Sequence, residues 1–361
     1  MTVLIIGKFY ADAFALHIAE TLEAMGHEVV RFESGVKYKT KGSVLSKRWT
    51  QVKSTVYELA KQFQIAQRSE TRQLLSVAGR QAIDLTIVCH DFLRPAQMRS
   101  LKNETRSPVV LWFPDHIANF QRSFFLNAEY DALFFKDPYI VHRLNQTLST
   151  RIYYLPECCN PRYHKTCELS PRDWETYGCE IATAGNLYPY RGAFFSQLNG
   201  YEIKIWGSLP PLWMDVSLIE PMLQKKYVAN EEKSKAFRAA KIVVNNIQPA
   251  EVWGINARAF EIAGAGGFQL IDWRPGIEQL FREDEELVTF SSMKELKNKI
   301  DYYLPREDER RKIAWRAQER AHLEHTYEKR MEVLLRTVFG GGKGFLLPEV
   351  SYLVHRELER V

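Results

Sequence analysis

Residues 2–32, TVLIIGKFYADAFALHIAETLEAMGHEVVRF, begin the chain with a strand, a helix and a second strand. Thr2–Ile6 is a short apolar run, and Ala13–Met25 has the apolar spacing of an amphipathic helix. A glycine and a histidine close the helix before Glu28–Phe32 resumes an extended pattern. Strand, helix and strand in this order predict the opening of a doubly wound α/β domain with a parallel sheet.

The same alternation continues along all 361 residues, a length for which two domains are expected. The first series of further strands is predicted at Asp84–Cys89, Pro108–Phe113, Ala132–Phe135 and Arg151–Leu155, and the second at Glu180–Ala184, Glu202–Trp206, Lys241–Asn245, Phe268–Ile271 and Leu287–Phe290. The irregular stretch Pro156–Pro171 lies between them and is the predicted linker. We therefore predict two Rossmann-like domains, 1–165 and 172–324, that face a central cleft and bind ligands at the carboxyl ends of their strands.

Composition narrows the class of protein. The chain is 45% hydrophobic and 26% charged, and no apolar run is long enough to predict a transmembrane helix. The N-terminal apolar run is short and follows no basic region, so we expect no signal peptide. Five cysteines without a CxxC pair indicate reduced thiols and no structural zinc. We expect a cytoplasmic location, and a peripheral membrane contact is an open alternative.

The net charge of +5 is modest, but basic residues are concentrated in Lys37–Arg72. One interpretation of this segment is a solvated helix face and loop. The other is a surface for an anionic acceptor or for a membrane. Nucleic acid is the least favoured of these partners, and retention on DNA or RNA at low salt would test it.

Several catalytic motifs are absent. The turn after the first strand reads GKFYAD, so the dinucleotide fingerprint is missing, and no Walker A, HExxH or GxSxG motif occurs. Polar side chains instead follow several predicted strands, where a parallel sheet binds its ligands. They are Asp115, His116, Lys136, Asp137, Asn186, Tyr188, Arg191, Asn245 and Asn246.

Residues 256–272, NARAFEIAGAGGFQLID, combine a helical stretch, three glycines and an apolar strand. Glycine lacks a Cβ, so its backbone can approach a neighbouring strand or a ligand closely. Such an approach is expected at Gly266 and Gly267. Glu261 lies on the helix, where it either binds a ligand or pairs with Arg258 three residues earlier.

These motifs occur in an order that resembles the CgeB/YkvP-like glycosyltransferases of spore maturation, relatives of glycosyltransferase family 4. The matching pieces between about Val109 and Leu335 are VLWFPDH (110–116), FFKDPYIVHRL (134–144), YLPECCNPRYH (154–164), AGNLYPYRGAF (184–194), VVNNIQ (243–248), ARAFEIAGAGGFQLID (257–272), GIEQLF (276–281) and HTYEKRMEVLL (325–335). They span about two thirds of the chain. The resemblance implies the GT-B fold, with an N-terminal acceptor domain and a C-terminal donor domain. It also implies that 325–361 forms a terminal helix and tail that cross back to the N-terminal domain.

The resemblance implies a binding site for a nucleotide-diphosphate sugar, linked to UDP or GDP. Glu261 matches the family position that binds the ribose hydroxyls, and a carboxylate can accept two such hydrogen bonds. Arg191 matches a basic residue at the diphosphate, where a fixed cation stabilises the leaving group. The other donor-binding candidates are Asn186, Tyr188, Asn246, Arg258, Gly266, Gly267 and Glu278. The resemblance also implies that the two glycines let the backbone approach the nucleotide, so that nearby N–H groups meet phosphate.

One position departs from the family pattern. Family 4 often has a glutamate eight residues before the position of Glu261, and this sequence has Trp253 there, with Glu251 out of register. The identity of the donor sugar is therefore not implied. Asp115 and His116 lie where relatives hold an active-site histidine, and either could act as the base of an inverting enzyme. A retaining enzyme needs no base there, and the resemblance favours retention.

The first hypothesis is thus a metal-independent glycosyltransferase with no cofactor beyond its donor substrate and no DxD motif at a strand end. Its acceptor is open: a polysaccharide, a glycolipid, a protein or a small molecule. A non-catalytic binding or structural protein on the same scaffold is the alternative, motivated by Trp253. A glycosyltransferase acting on nucleic acid is a third reading.

Overall fold

A computed structural model describes residues 1–34, 49, 56, 64–120 and 123–360. The contacts between residues divide the chain into two compact units. The first comprises Met1–Leu155 and Arg330–Leu347, and the second comprises Pro156–Lys329 and the chain from Pro348 onward. Most of the basic segment Lys37–Arg72 lies outside the described residues.

The first unit is built on a six-stranded parallel sheet in the order β2-β1-β3-β4-β5-β6. Its strands are β1 (Thr2–Gly7), β2 (Glu28–Glu33), β3 (Leu85–Val88), β4 (Val109–Phe113), β5 (Ala132–Phe135) and β6 (Ile152–Tyr154). Its helices are α1 (Phe14–Ala24), α2 (Gln64–Ala78), α3 (Pro95–Thr105) and α4 (Pro138–Asn145), with 3-10 turns at Ile117–Asn119 and Phe124–Leu126. Every residue of β3, β4 and β5 is buried, as expected for parallel strands that are covered on both faces.

The second unit has a five-stranded parallel sheet in the order β11-β10-β9-β7-β8. Its strands are β7 (Cys179–Ala184), β8 (Ile203–Trp206), β9 (Ala240–Asn245), β10 (Gln269–Asp272) and β11 (Val288–Phe290). Its helices are α5 (Pro171–Tyr177), α6 (Pro189–Phe195), α7 (Glu231–Ala239), α8 (Ala257–Ala265), α9 (Met293–Tyr303) and α10 (Glu307–Glu324), with a 3-10 turn at Glu220–Met222. The two parallel sheets with their helices confirm the predicted fold class, an α/β chain with two Rossmann-like domains.

Side-chain caps define several helix starts in the second unit. Ser170, Asn256 and Ser292 each accept a hydrogen bond from the backbone N–H three residues later. Such caps satisfy N–H groups that have no partner inside the helix. The cap at Asn256 fixes the start of α8, the helix that carries two of the predicted donor-binding residues.

The C-terminal region contains α11 (Tyr327–Phe339) and α12 (Val350–Leu358). Most of α11 groups with the first unit, whereas α12 groups with the second. The sequence predicts a single C-terminal region, 325–361. In the structure its two helices group with different units. No helix among the described residues is long and apolar enough to cross a membrane.

Candidate functional site

The candidate donor site lies at the carboxyl edge of the second sheet, beside Gly185. This residue follows β7 directly and has φ +130°, a conformation that glycine adopts without strain. A Cβ atom added to Gly185 would lie 2.6 Å from Nη2 of Arg258 and 3.0 Å from Nη1 of Arg191. The backbone turn after β7 therefore lies directly against two guanidinium groups.

Arg191, on α6, is held by three groups from two segments, the turn after β7 and the end of β9. Its Nε donates to Oδ1 of Asn246 at 3.1 Å, and its Nη1 donates to the carbonyl of Asn186 at 2.8 Å. Its guanidinium carbon lies 4.9 Å from the centre of the Tyr188 ring, a cation–π arrangement. Arg191 is only 1% exposed. Its side chain is thus fixed before any ligand binds.

Arg258 is fixed from the start of α8. Its Nε donates to the carbonyl of Ala184, the last residue of β7, and its Nη1 donates to Oδ1 of Asn245 at 3.0 Å. Asn245 and Asn256 exchange a pair of side-chain hydrogen bonds at 3.0 and 3.1 Å. The amide pair joins the end of β9 to the cap of α8 and keeps Arg258 in place.

Within the part of the chain that the structure describes, neither Arg191 nor Arg258 has a carboxylate partner, since no acidic oxygen lies within 4.0 Å of its guanidinium group. Burial and the charge of Arg258 lower the pKa of Arg191 to about 9, and burial lowers the pKa of Arg258. Buried Glu251 supplies a more distant negative charge that acts on both. Nearby, Nδ2 of fully buried Asn246 has no hydrogen-bond partner. These groups favour an anionic ligand with acceptor oxygens.

Glu261 lies one turn after Arg258 on α8, and its partner is Lys233 rather than Arg258. Lys233 Nζ is 2.9 Å from Oε2 of Glu261. The other carboxylate oxygen, Oε1, is 4.0 Å from Nε2 of His164. The carboxylate side chain is 13% exposed, so a ligand can reach it beside these two groups. The structure thus places two predicted residues on one helix and adds two that the sequence did not suggest.

Gly266 and Gly267 require a correction, since they do not lie with the other donor-binding candidates. Gly266 is the left-handed cap that ends α8, with φ +73°, and Gly267 packs against Phe237. The helix runs opposite to the parallel strands, so its end returns to the amino edge of the sheet, where β10 begins. The glycines therefore serve the helix end and the packing of the strand, and their predicted approach to phosphate is not supported.

Glu278 and Trp253 both contact the C-terminal helix α12. The carboxylate of Glu278 accepts hydrogen bonds from Tyr352 at 2.6 Å and from Nε of Arg356 at 2.9 Å. Trp253 is buried, and its Nε1 donates to Glu357 at 3.1 Å. The residue that replaces the expected glutamate thus anchors α12 to the second unit.

In the first unit, Asp115 follows β4 and pairs with His90, which follows β3. His90 Nε2 lies 3.2 Å from Oδ2 of Asp115. His90 has φ +139°, a strained value for a residue with a side chain, and its ring packs 4.7 Å from that of Phe113. Strained residues cluster at functional sites because the surrounding structure must hold them there. The sequence analysis did not select His90, although His90 follows a predicted strand just as Asp115 and the other polar candidates do.

Asp115 is ionised at neutral pH. Burial raises the pKa of its carboxyl, but the hydrogen bond with His90 and the charge of Lys136 outweigh this effect and lower the pKa to about 2. A carboxyl with so low a pKa is a weak base, and it is better suited to orient the imidazole of His90. His116 is half-buried at the start of the turn Ile117–Asn119, where its carbonyl accepts from the N–H of Asn119.

A parallel α/β unit with one buried and one half-buried arginine at its carboxyl edge defines a candidate site for an anionic, nucleotide-like ligand. Residues 191–336 match the family model described as Glycosyl transferase-like. A comparison with curated proteins finds no match. The family match supports a glycosyltransferase, and the narrower CgeB/YkvP-like assignment stays a prediction.

Solved structures with similar folds extend over nearly the whole chain. Sucrose-phosphate synthase from Thermosynechococcus elongatus has a TM-score of 0.64 at 10% identity and covers 95% of this chain and 100% of its own. Anabaena HepE in complex with UDP-glucose has a TM-score of 0.62 at 12% identity, covering 93% and 100%. A glycosyltransferase from Rickettsia africae has a TM-score of 0.60 at 12% identity, covering 93% and 98%. At these identities the likeness establishes the shared two-domain α/β fold.

Proposed function

We propose that this protein is a glycosyltransferase whose donor is a nucleotide-diphosphate sugar. The observation that carries the proposal is the pair of guanidinium groups against the backbone of Gly185, that of buried Arg191 and that of half-buried Arg258. Two adjacent cations that have no carboxylate partner among the described residues suit a diphosphate, which carries at least two negative charges. The family match over 191–336 supports sugar transfer as the reaction.

The proposed donor roles follow from the positions of the side chains. Arg191 and Arg258 bind the diphosphate and stabilise the charge that develops on the leaving nucleotide. Glu261, one helical turn from Arg258, accepts hydrogen bonds from the ribose hydroxyls. Asn246 offers its unpaired Nδ2 to a phosphate or sugar oxygen. UDP is the first nucleotide to test, since HepE was solved with UDP-glucose, and GDP is the second.

The two fixed cations also motivate a reaction that is independent of a divalent ion. Their charges serve the leaving diphosphate in the way that a metal does in other transferases. Transfer in the presence of EDTA at an undiminished rate is the expected result. A rate restored only by added Mg²⁺ or Mn²⁺ would reject this part of the proposal.

In the first unit, we assign the catalytic groups to His90 and Asp115, and we retain His116 as a candidate. For a retaining reaction, which the family resemblance favours, His90 and Asp115 need not remove a proton. For an inverting reaction, His90 would be the base and Asp115 would orient it. The anomeric configuration of the product, read by NMR, distinguishes these reactions.

Binding of nucleotides tests the proposal most simply. A thermal-shift panel with UDP, GDP, ADP, CMP, TDP and their sugar conjugates in EDTA is expected to show stabilisation by one nucleotide. Arg191→Met is expected to abolish the shift. Arg311→Met, which removes an exposed arginine that pairs with Glu307, is the matched control and is expected to retain it. Absence of a shift with every nucleotide would overturn the proposal.

A donor-binding protein without transferase activity is the second candidate. It is favoured by Trp253, which is buried and bonded to Glu357 at the position where the family often has a sugar-binding glutamate. It predicts nucleotide binding without release of free nucleotide from any sugar conjugate. Detection of nucleotide release, lost in Arg191→Met, would exclude it.

A further inference from the structure

We propose that Lys233 is a positioning residue that holds the Glu261 carboxylate for a ribose, so that the site prefers ribonucleotides to deoxyribonucleotides. The inference rests on the proposed function and assigns a role to a residue outside the predicted donor set. It is carried by the hydrogen bond from Lys233 to one oxygen of the Glu261 carboxylate, 2.9 Å long, and by the imidazole of His164, which lies 4.0 Å from the other oxygen, beyond hydrogen-bond distance.

The first contact comes from α7. Lys233 is 8% exposed, and its Nζ lies 2.9 Å from Oε2 of Glu261. A lysine is seldom buried to this extent without a partner of opposite charge. Two other lysines of this region, Lys226 and Lys235, are more exposed and pair with Glu232 and Asp173 instead. Lys233 is therefore the lysine that α7 directs to α8.

The second contact comes from the segment before α5. His164 is fully buried, and its Nδ1 accepts a hydrogen bond from the N–H of Asn160 at 3.0 Å. The neutral ring therefore carries its hydrogen on Nε2, which lies 4.0 Å from Oε1 of Glu261. Gly264 allows α8 to approach this segment, because a Cβ there would lie 3.0 Å from the carbonyl oxygen of His164.

These contacts restrict the rotation of the carboxylate. An ionised carboxylate has about four acceptor positions, and Lys233 and His164 lie beside one oxygen each. The remaining acceptor positions of the carboxylate can accept hydrogen bonds from two adjacent hydroxyl groups. The 2′ and 3′ hydroxyls of a ribose are such a pair. Arg258 lies three residues earlier on the same helix, so the diphosphate cation and the ribose acceptor are adjacent on one face. A nucleotide without its 2′ hydroxyl would leave one acceptor position unfilled.

The experiment compares affinities for UDP and 2′-deoxy-UDP, and for GDP and 2′-deoxy-GDP, by calorimetric titration. For the wild-type protein we expect about a ten-fold preference for the ribonucleotide, the size of one hydrogen bond to a charged group. In Lys233→Met the preference is expected to fall to about two-fold or less, with deoxynucleotide affinity nearly unchanged. Lys233→Arg is expected to keep most of the preference. Lys235→Met, on the same helix, is the control and is expected to behave as the wild type.

The outcomes separate this inference from the proposed function. A Lys233→Met protein that melts at a lower temperature but keeps the ribose preference would show that the ion pair serves only stability, and would overturn the inference. Equal binding of UDP and 2′-deoxy-UDP by the wild type would also overturn it and leave the proposed function standing. Failure of the wild type to bind any of the four nucleotides would overturn both.

Discussion

Arg191 and Arg258 lie against the same residue, Gly185, where an added Cβ atom would be 3.0 Å from one guanidinium group and 2.6 Å from the other, and their positive charges repel each other. The charge of Arg258 contributes to lowering the pKa of Arg191 to about 9, after the larger effect of burial. Two helices, α6 and α8, are thus fixed so that their cations share one surface in the absence of a compensating ion pair. An anion that binds there relieves a repulsion which the folded protein otherwise retains.

Removal of one cation is expected to weaken diphosphate binding selectively. Arg191→Met should lower the affinity for UDP by about 10- to 100-fold, the loss of a charge-assisted hydrogen bond. The affinity for uridine, which has no phosphate, should change much less. Calorimetric titration with both ligands measures the difference, with Arg311→Met as the control. Equal losses for uridine and UDP would contradict a phosphate-specific role.

The close approach at Gly185 gives a second prediction. Gly185→Ala should lower both stability and UDP affinity, since its Cβ would lie 2.6 Å from Nη2 of Arg258. The backbone strain alone costs about 1–3 kcal/mol. Gly200→Ala is the matched control, since Gly200 has φ +99° and no atom within 4 Å of an added Cβ. It should lose stability in urea unfolding but bind UDP normally. Normal binding by Gly185→Ala would place the arginines outside the site.

The pair formed by His90 and Asp115 in the first unit is expected to act in catalysis rather than in donor binding. His90→Gln is expected to reduce the turnover number by about 100-fold or more and to leave UDP affinity unchanged. Asp115→Asn is expected to reduce it as well, because the imidazole loses its orienting carboxylate. Steady-state rates with the accepted donor measure both variants, and His142→Gln, a half-buried histidine of α4, is the control. A His90→Gln enzyme with full activity would remove this residue from the mechanism.

Asp115 also predicts a dependence of stability on pH. Its pKa in the folded protein, about 2, is lower than the ordinary aspartate value of 3.8, so ionised Asp115 stabilises the folded state. This contribution is fully present above about pH 4 and is lost as the pH falls from 4 toward 2. The difference in unfolding free energy between wild type and Asp115→Asn should therefore shrink over that range. Urea unfolding at pH 6, 4 and 2.5 measures it. A difference that is independent of pH would contradict the pairing with His90.

A turn before α7 offers a prediction about stability alone. Asn230 has φ +54° and ψ −131°, and the carbonyl of Ala229 accepts from the N–H of Glu232 across the turn. Glycine is favoured in this conformation, and Oδ1 of Asn230 is buried without a partner. Asn230→Gly should therefore stabilise the protein by about 0.5–1 kcal/mol, since it removes both costs. Ala229→Gly should destabilise it. A loss of stability in Asn230→Gly would show that its side chain contributes to folding.

The fold and part of the site could be predicted because their signals are local. Apolar runs indicated the parallel strands, and the sequence placed Arg191 after a strand end and Arg258 and Glu261 on one helix. Gly266 and Gly267 were misplaced because closeness in sequence was taken as closeness in space. A helix that follows a parallel strand carries its last residues to the opposite edge of the sheet.

Other members of the site have no local signal. Lys233 lies 28 residues before Glu261, and nothing in EEKSK distinguishes it from Lys235. The role of His164 depends on the close approach of α8 at Gly264, which is a property of packing. His90 could have been found, since it follows an apolar strand, but its backbone strain is visible only in three dimensions.

Titration of the wild-type protein with UDP and GDP in EDTA, repeated with Arg191→Met and Arg258→Met, tests the central claim most directly. We expect one site per chain for one of the two nucleotides, with affinity reduced in both variants and unchanged in Arg311→Met. Nucleotide binding that is equal in the wild type and both arginine variants, or no binding at all, would contradict a donor site at Gly185.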